Sequence, residues 1–437
     1  MGGLLFGSAL VLLLVGAPIV VSLGLSSLLF ITQNGIQPVV VIQKLFSGID
    51  SAALLAVPFF ILAGDLMNRG GIAKRIVNMA GAAVGNIHGG MGIVAIISCM
   101  FFAAISGSGI ATAAAIGGVM LPGMLRAGYS RSFSATIIAA ASPIGVIIPP
   151  SIAFIVYAVL AKVSVSDLYK VGFPAGLIVG IPLMITTYIL AKKRGYKDRA
   201  EKIASGEIIL EGVPETKEEN KLSGFRYFTD SIWALGTPII IVGGVFAGIF
   251  TPTESAVVAV IYSIIIGIYV YKEMKWSELP KIFFDSAIST ASIMIIMAVA
   301  ALFAWVMVYV QIPQNILTFV MGITTNKNLV LLLVNIIVLI AGMFMESASI
   351  QYILVPIVLP IIVALGVDPV HFGIMLVTNL AIGMMTPPFG ITLFTGARVF
   401  DISIQEITKE SLWYLVSLIF SLMLITFFPQ LVMWVVK

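Results

Sequence analysis

The sequence predicts an all-α polytopic membrane protein made of two inverted-topology repeats, each carrying a re-entrant helical hairpin and a broken transmembrane helix. Three observations predict this. Of 437 residues, 60% are hydrophobic and only 10% charged, against about 25% charged in soluble globules. Apolar segments of membrane-spanning length recur along the chain. Within them, helix-breaking residues repeat at a constant offset of 238: Pro122 with Pro360, Gly128 with Gly366, Gly145 with Gly383, and Pro149-Pro150 with Pro387-Pro388. Between Phe101 and Ser151 only Ala103, Leu121 and Ile144 match besides these, so the shared residues concentrate where backbone shape is set. Interrupted helices at corresponding places in two halves point to a binding site of the kind secondary transporters use.

No Asp, Glu, Lys or Arg precedes Lys44, and the opening lacks the basic stretch of a signal peptide, so 4–31 reads as one retained span. Residues 32–50 read as a polar connection and 51–67 as the return crossing, with Asp65 at the interface. Over 72–84, Ile72, Ile76, Met79 and Ala83 share one side while Lys74, Arg75 and Asn78 fall largely elsewhere, the pattern of an arm lying in the interface plane. The stretch 76–125 has no charged residue, too long for one crossing of about 20 residues, and is interrupted at Ser106-Gly107-Ser108-Gly109. A hairpin over 91–125 follows. A broken helix over 131–161 and a span over 168–190, begun by Ser164 and Asp167, complete a first repeat, 1–190.

The only extended hydrophilic segment, 191–230, reads as a cytoplasmic linker. The second half, 231–437, opens with an additional span over 232–249. Thr251-Pro-Thr-Glu254 then caps a helix, with Glu254 in a capping role. Spans at 255–271 and 282–310, an arm at 312–321, a hairpin over 329–364 with a tip at 345–349, and a broken helix over 371–400 interrupted at 382–390 follow. A last span covers 412–436.

With the linker inside, only Lys44, Lys162, Lys170, Lys327 and Lys437 of the 24 Lys and Arg lie outside. This positive-inside asymmetry predicts a cytoplasmic N-terminus and an outer C-terminus, and hairpins entering from opposite faces. The basic residues therefore carry topology, and the net charge of +4 gives no reason to expect nucleic acid as a partner. The partner the composition requires is the lipid bilayer. Cys99 can form no internal disulfide and reads as a small core residue. His88 and His371 fall at predicted span ends, without acidic or Cys neighbours, and read as interfacial hydrogen-bonding groups.

Each helix break offers unpaired carbonyls to a cation on one side and N–H groups with a positive dipole to an anion on the other. The candidate cation ligands are Ser106, Ser108, Thr112, Ser142, Gly145 and Ile148 in the first half, and Glu346, Ser347, Asn379, Gly383 and Thr386 in the second. Ser108, Gly109 and Pro150, with Ser347, Ser349 and Pro388, are the candidate anion contacts. Oxygen ligands suit a hard cation rather than zinc or copper. Close packing of small residues explains single Gly or Ser positions, but not a duplicated Pro-Pro break. Glu346 falls opposite Ser108 under the offset, at a depth where charge is expensive, and reads as a cation ligand or a paired group. Arg398 either meets a carboxylate or snorkels to the cytoplasmic surface. An intramembrane enzyme using Ser106 or Ser108 lacks a His that the sequence places nearby, and there is no HExxH pair or phosphate loop.

ISGSGIATAAAIGGVMLPGM, ASPIGVIIPPS, FTPTESA and NLAIGMMTPPFG, in that order, resemble the large membrane subunit of tripartite ATP-independent periplasmic (TRAP) transporters, the DctM family. The resemblance covers essentially the whole chain. It implies a sodium-coupled importer of organic anions, with C4-dicarboxylates and sialic acid as leading substrates, and a transport domain moving as an elevator against a scaffold. It implies Na+ as coupling ion with no organic cofactor, and two partners in the inner membrane system: a small DctQ-type membrane subunit and a periplasmic DctP-type binding protein. Its sodium sites map onto the tips and breaks named above. An anion channel and a stand-alone sodium/carboxylate symporter are the competing readings.

Overall fold

A computed structural model describes residues 2–84, 87–208 and 224–436, without the side chains of residues 2, 82–84 and 224–228. Most of the 191–230 segment's acidic and polar run, Lys437 and the Ala83 side chain lie outside the described residues. Every regular element among the described residues is helical. Among the described residues, eight helices are long and apolar enough to cross a membrane, or nine if Arg131–Ile147 and Ile152–Ala161, bent by 41°, count as one.

The 238-residue offset carries helix ends onto helix ends. Gly90–Ser106 and Gly109–Arg126 form the first helix pair, and Lys327–Phe344 and Ser347–Ala364 the second, so Ser106, Gly109 and Arg126 fall on Phe344, Ser347 and Ala364. Arg131–Ala141 and Pro369–Gly383 likewise begin in register, each behind a side-chain cap, Ser130 or Asp368. Such caps accept N–H bonds that the first turn cannot satisfy internally. Gly128 and Gly366, which turn the chain between hairpin and broken helix, both have positive φ, +82° and +72°. The Pro149–Pro150 and Pro387–Pro388 bonds are both cis.

Equivalent helices run in opposite directions. The start of the first broken helix touches the end of the second, where Arg131 Nη1 donates to the Phe400 carbonyl at 3.1 Å. Near its other end, the Tyr157 hydroxyl donates to the carbonyl of Pro369 at 2.6 Å. Ala56–Arg69 and Leu279–Tyr309 cross the same way: Asp65 accepts a bond from Ser286, whereas Gly48, just before that helix, packs on Ala298 and Ala301. Each also packs on the other half of the chain, Ala56–Arg69 on Pro252–Ile265 and Leu279–Tyr309 on Ile19–Gln33. This is the arrangement expected of a two-fold axis lying in the membrane plane.

Several expectations are corrected. Residues 4–31 are not one span but two helices, Gly2–Leu14 and Ile19–Gln33, turned back on each other at Gly16 (φ +87°) and Pro18. Phe6 stacks edge-on against Phe303 and Gly24 lies against Val299, one turn away on the same helix; a straight helix would hold Phe6 and Gly24 about 27 Å apart. The 32–50 connection contains a helix, Val39–Ser47, carried on Leu279–Tyr309. The second tip is only Met345-Glu346, because Ser347 to Ser349 already belong to the return helix. The last span ends early, as Ile404–Phe427, where Phe428-Pro429 breaks it before the short Gln430–Met433.

Asp65 is half-buried against Ser286, and the neighbouring exposed Arg69 pairs with Asp285 at 2.9 Å. Ile72–Val84 buries Ile72, Ala73, Ile76, Val77 and Ala80 between the first hairpin and Gly224–Pro238. Arg75 anchors it there: its guanidinium lies 3.6 Å from the Tyr271 ring centroid and within 3.5 Å of carboxylate oxygens of Asp230 and Glu273. Thr251 and Glu254 form the expected reciprocal cap, an N-terminus stabilised by pairing two orphan N–H groups.

Candidate functional site

In the first half the tip and the break are brought together. Ser108 is the N-cap of Gly109–Arg126 and its hydroxyl accepts the Ala111 N–H. The Ser106 hydroxyl lies 2.9 Å from Thr112 Oγ1 and 3.3 Å from the Ser108 carbonyl, and Thr112 donates to that carbonyl at 2.8 Å. The facing break closes over this cluster. A Cβ at Gly145 would stand 2.6 Å from Thr112 Oγ1 and 2.9 Å from the Ser108 carbonyl, and one at Gly109 would stand 3.3 Å from the Ser142 carbonyl. Glycine at both positions is what lets backbone meet backbone here. Pro150 reaches the tip from the other side, its carbonyl 2.5 Å from where a Gly107 Cβ would be.

Ser106, Ser108, Gly109, Thr112, Ser142, Gly145 and Pro150 thus converge. Ile148 does not join them through its side chain, which fills the space left by Gly176 on Val165–Lys193. The donor set is a cluster of hydroxyl and carbonyl oxygens beside a helix N-terminus, which fits a small hard cation next to an anion.

The second half assembles differently. Gly383 packs backbone to backbone against Gly342, with a hypothetical Cβ 2.7 Å from Gly342. Asn379, fully buried, donates through Nδ2 to the backbone carbonyl and Oδ1 of Asn335 at 2.8 and 2.9 Å, leaving its own Oδ1 without a protein partner. The Ser349 hydroxyl is likewise buried and unpartnered, whereas Ser347 accepts a bond from Gln351 Nε2 at 3.1 Å. The Thr386 hydroxyl is engaged by its own helix, donating to Ile382 O at 2.8 Å. Glu346 occupies the N-cap position of the return helix but its carboxylate caps nothing. Among the described residues, no hydrogen bond joins Glu346 or Ser347 to Asn379, Gly383 or Thr386. Pro388 is exposed.

Several residues of this site escape sequence reasoning. Gln351 is fully buried with Oε1 unpartnered, Asn335 links Asn379 to Thr426, and Thr392 donates both to Ala139 and to Met384 across the two breaks. The offset pairs Gln351 with Ala113 and Asn335 with Ile97, so the repeat gives no hint of them. An amide inside an uncharged apolar span was the available signal. His371 is buried, with Nε2 at 2.8 Å from the Ile425 carbonyl, and His88 packs edge-on against Tyr188. Arg398 is exposed.

The family described as "Tripartite ATP-independent periplasmic transporter, DctM component" matches residues 6–431. The chain belongs to the DctM family. The C4-dicarboxylate TRAP transporter large permease protein DctM of Rhodobacter capsulatus is 36% identical over 98% of this chain and 97% of its own length. The Pseudomonas aeruginosa protein of the same name is 40% identical over 93% and 92%. The isethionate TRAP transporter permease protein DctMQ of Oleidesulfovibrio alaskensis is 40% identical over 98% of this chain, which spans 65% of that longer protein. Among solved structures, the crystal structure of the Alcanivorax borkumensis YdaH transporter aligns with a TM-score of 0.64 at 14% identity, covering 89% of this chain and 87% of that one, a likeness of fold alone. As a DctM protein the chain is a multi-pass membrane permease of the secondary-transporter type and not an enzyme.

Proposed function

We propose that this DctM protein is the large permease of a sodium-coupled importer of an organic acid, working with a small DctQ-type membrane subunit and a periplasmic DctP-type binding protein in the inner membrane. The observation that supports the coupling is the first site, where the hydroxyls of Ser106 and Thr112, the Ser108 carbonyl and the N-terminus of Gly109–Arg126 lie within one buried cluster. Such a site holds a cation and presents N–H groups to an anion beside it. The convergence of two inverted halves supports exposing it to one side at a time rather than a continuous pore. The hairpins are re-entrant in this reading, and they travel as an elevator against the helices that Asp65, Ser286 and Arg75 tie together.

The relatives' named cargoes support the substrate class. C4-dicarboxylate, sialic acid and isethionate are organic acids, and a C4-dicarboxylate or a sialic acid-like sugar acid is the cargo proposed here. The charge asymmetry supports a cytoplasmic 191–230 segment and an outer C-terminus. With the N-terminal helix pair folded back, the N-terminus then shares the outer side with Lys44.

The test is uptake of labelled organic acid into proteoliposomes holding the large and small membrane subunits, with the cognate binding protein outside. Uptake is expected only with an inward sodium gradient and with the binding protein present. Equal uptake without the gradient overturns the coupling, and full uptake without the binding protein overturns the tripartite assembly.

A further inference from the structure

The two breaks deprive equivalent carbonyls of their helical partners and satisfy them differently. Proline has no N–H to give the carbonyl four residues before it. Pro150 therefore orphans the Val146 carbonyl and Pro388 that of Met384, positions that the 238-residue offset makes equivalent. In the first half the answer is local: the Ser151 hydroxyl, next to Pro150, donates to Val146 O. The offset puts Phe389 in the place of Ser151, and a phenyl ring has nothing to donate. Met384 O is met instead by Thr392, whose N–H and hydroxyl each donate to it at 2.9 Å. Gly390 makes room for this return, since a Cβ there would stand 2.8 Å from Met384 O.

The same hydroxyl reaches into the first half. Pro143 orphans the Ala139 carbonyl in the same way, and Thr392 Oγ1 lies 3.1 Å from that oxygen, with Ser142 Oγ a weaker donor to it at 3.3 Å. A threonine hydroxyl has one proton to give. Two orphaned carbonyls, one at each break, thus compete for the proton of a fully buried side chain, and a buried carbonyl left without a donor is costly. The competition takes place against the first hairpin tip. A Cβ at Gly109 would stand 3.3 Å from the Ser142 carbonyl and 3.3 Å from Met384 Cε, so both breaks border the tip where Thr392 joins them. The offset places Phe154 at the position of Thr392, so the link is made once and the repeat does not mark it.

We propose that Thr392 is a positioning residue that couples the two breaks through the choice its hydroxyl makes between Ala139 O and Met384 O. A cation held by the Ser106–Thr112 cluster bears on Ser142 and Gly145, which close over that cluster, and so on the Ala139 carbonyl one turn away. When that carbonyl is drawn off, the proton settles on Met384 O and fixes the end of Pro369–Gly383, the helix that carries Asn379 and Gly383. Filling the first half in this way favours filling the second, because the ion binds one of the two arrangements better than the other. The coupling rests on the sodium reading above for the identity of the ion, whereas the link between the breaks does not.

The complex of large and small membrane subunits is compared as parent, Thr392→Val and Thr392→Ser. Valine keeps the shape of the side chain without the hydroxyl, and serine keeps the hydroxyl. Sodium is titrated while deuterium exchange is followed over 139–148 and 382–393. In the parent and in Thr392→Ser the two stretches are expected to become protected together along one steep curve. In Thr392→Val they are expected to follow two separate curves, each with its Hill slope reduced to 1. A single shared curve of unchanged slope in Thr392→Val overturns the coupling and leaves Thr392 a structural hydroxyl. Should Thr392→Val not assemble, Thr392→Cys, a much weaker donor of similar size, replaces it with the same two outcomes. Sodium protecting neither stretch in the parent overturns the sodium reading, and the link is then judged without ions. Faster exchange in both stretches for Thr392→Val but not for Thr392→Ser upholds it, and a change confined to 382–393 overturns it.

Discussion

Ser108 and Glu346 hold the same place in the two repeats, immediately before a hairpin's return helix, yet only Ser108 caps its helix. Removing an N-cap hydroxyl costs about 1 kcal/mol, small enough for Ser108→Ala to fold. On the proposed reading, its loss disorders the N–H groups of the return helix that would face the anion, beside the Ser106–Thr112–Ser108 carbonyl cluster proposed for the cation. Sodium-activation curves in liposomes are expected to shift to higher sodium for Ser108→Ala, with weaker substrate dependence as well. Glu346→Ala is expected to raise the sodium requirement alone, because its carboxylate bonds to no backbone donor. Unchanged sodium affinity in both variants makes the tips close-packing turns and nothing more. Gly145→Ala is a sharper probe: the new methyl would stand 2.6 Å from Thr112 Oγ1 and 2.9 Å from the Ser108 carbonyl. Overpacking of this kind costs about 1–3 kcal/mol, and sodium binding measured by isothermal calorimetry is expected to fall well below that of Ser108→Ala. Binding equal to the parent would separate Gly145 from the ion.

At the scale of elements, broken helices persist because small residues let neighbouring backbones take up the space of the missing turn. Lys327–Phe344 and Pro369–Gly383 approach through Gly342 and Gly383, and the closest contact is on the Gly383 side: 2.7 Å for a Cβ there against 3.2 Å for one at Gly342. Gly383→Ala is therefore expected to lower the thermal unfolding midpoint in detergent more than Gly342→Ala, by a difference equivalent to about 1–2 kcal/mol. The reverse order would mean that the two helices slide to relieve the contact. The helix ends around the four breaks fall where Pro, Gly and serine caps act locally, through φ, lost N–H groups and first-turn donors. The N-terminal pair was not legible in the sequence. Gly16 and Pro18 lie inside an uncharged apolar run whose total length matches one crossing, and only packing on Phe303 and Val299 shows that it folds back.

For the whole molecule, coupling is a matter of charge moved across the membrane. If two or more sodium ions accompany each monovalent anion, every cycle carries net positive charge inward, and each such charge gains about 2.3 kcal/mol per 100 mV of inside-negative potential. Uptake at fixed sodium gradient is expected to rise when a potassium diffusion potential, negative inside, is imposed with valinomycin. Indifference to the potential would require an electroneutral cycle and a different stoichiometry.

Membrane residence, duplication and the four helix-breaking stretches were set by the sequence alone, since hydropathy, Pro and Gly act through the solvent and the backbone rather than through distant partners. The family followed from those same stretches. Tertiary structure alone decided which oxygens meet. The first site closes because Gly145 and Gly109 admit a facing backbone that a Cβ would exclude. The second recruits Asn335 and Gln351, which no repeat marks. Those outcomes depend on contacts between residues tens to hundreds of positions apart, and burial at such contacts has no signature in local composition.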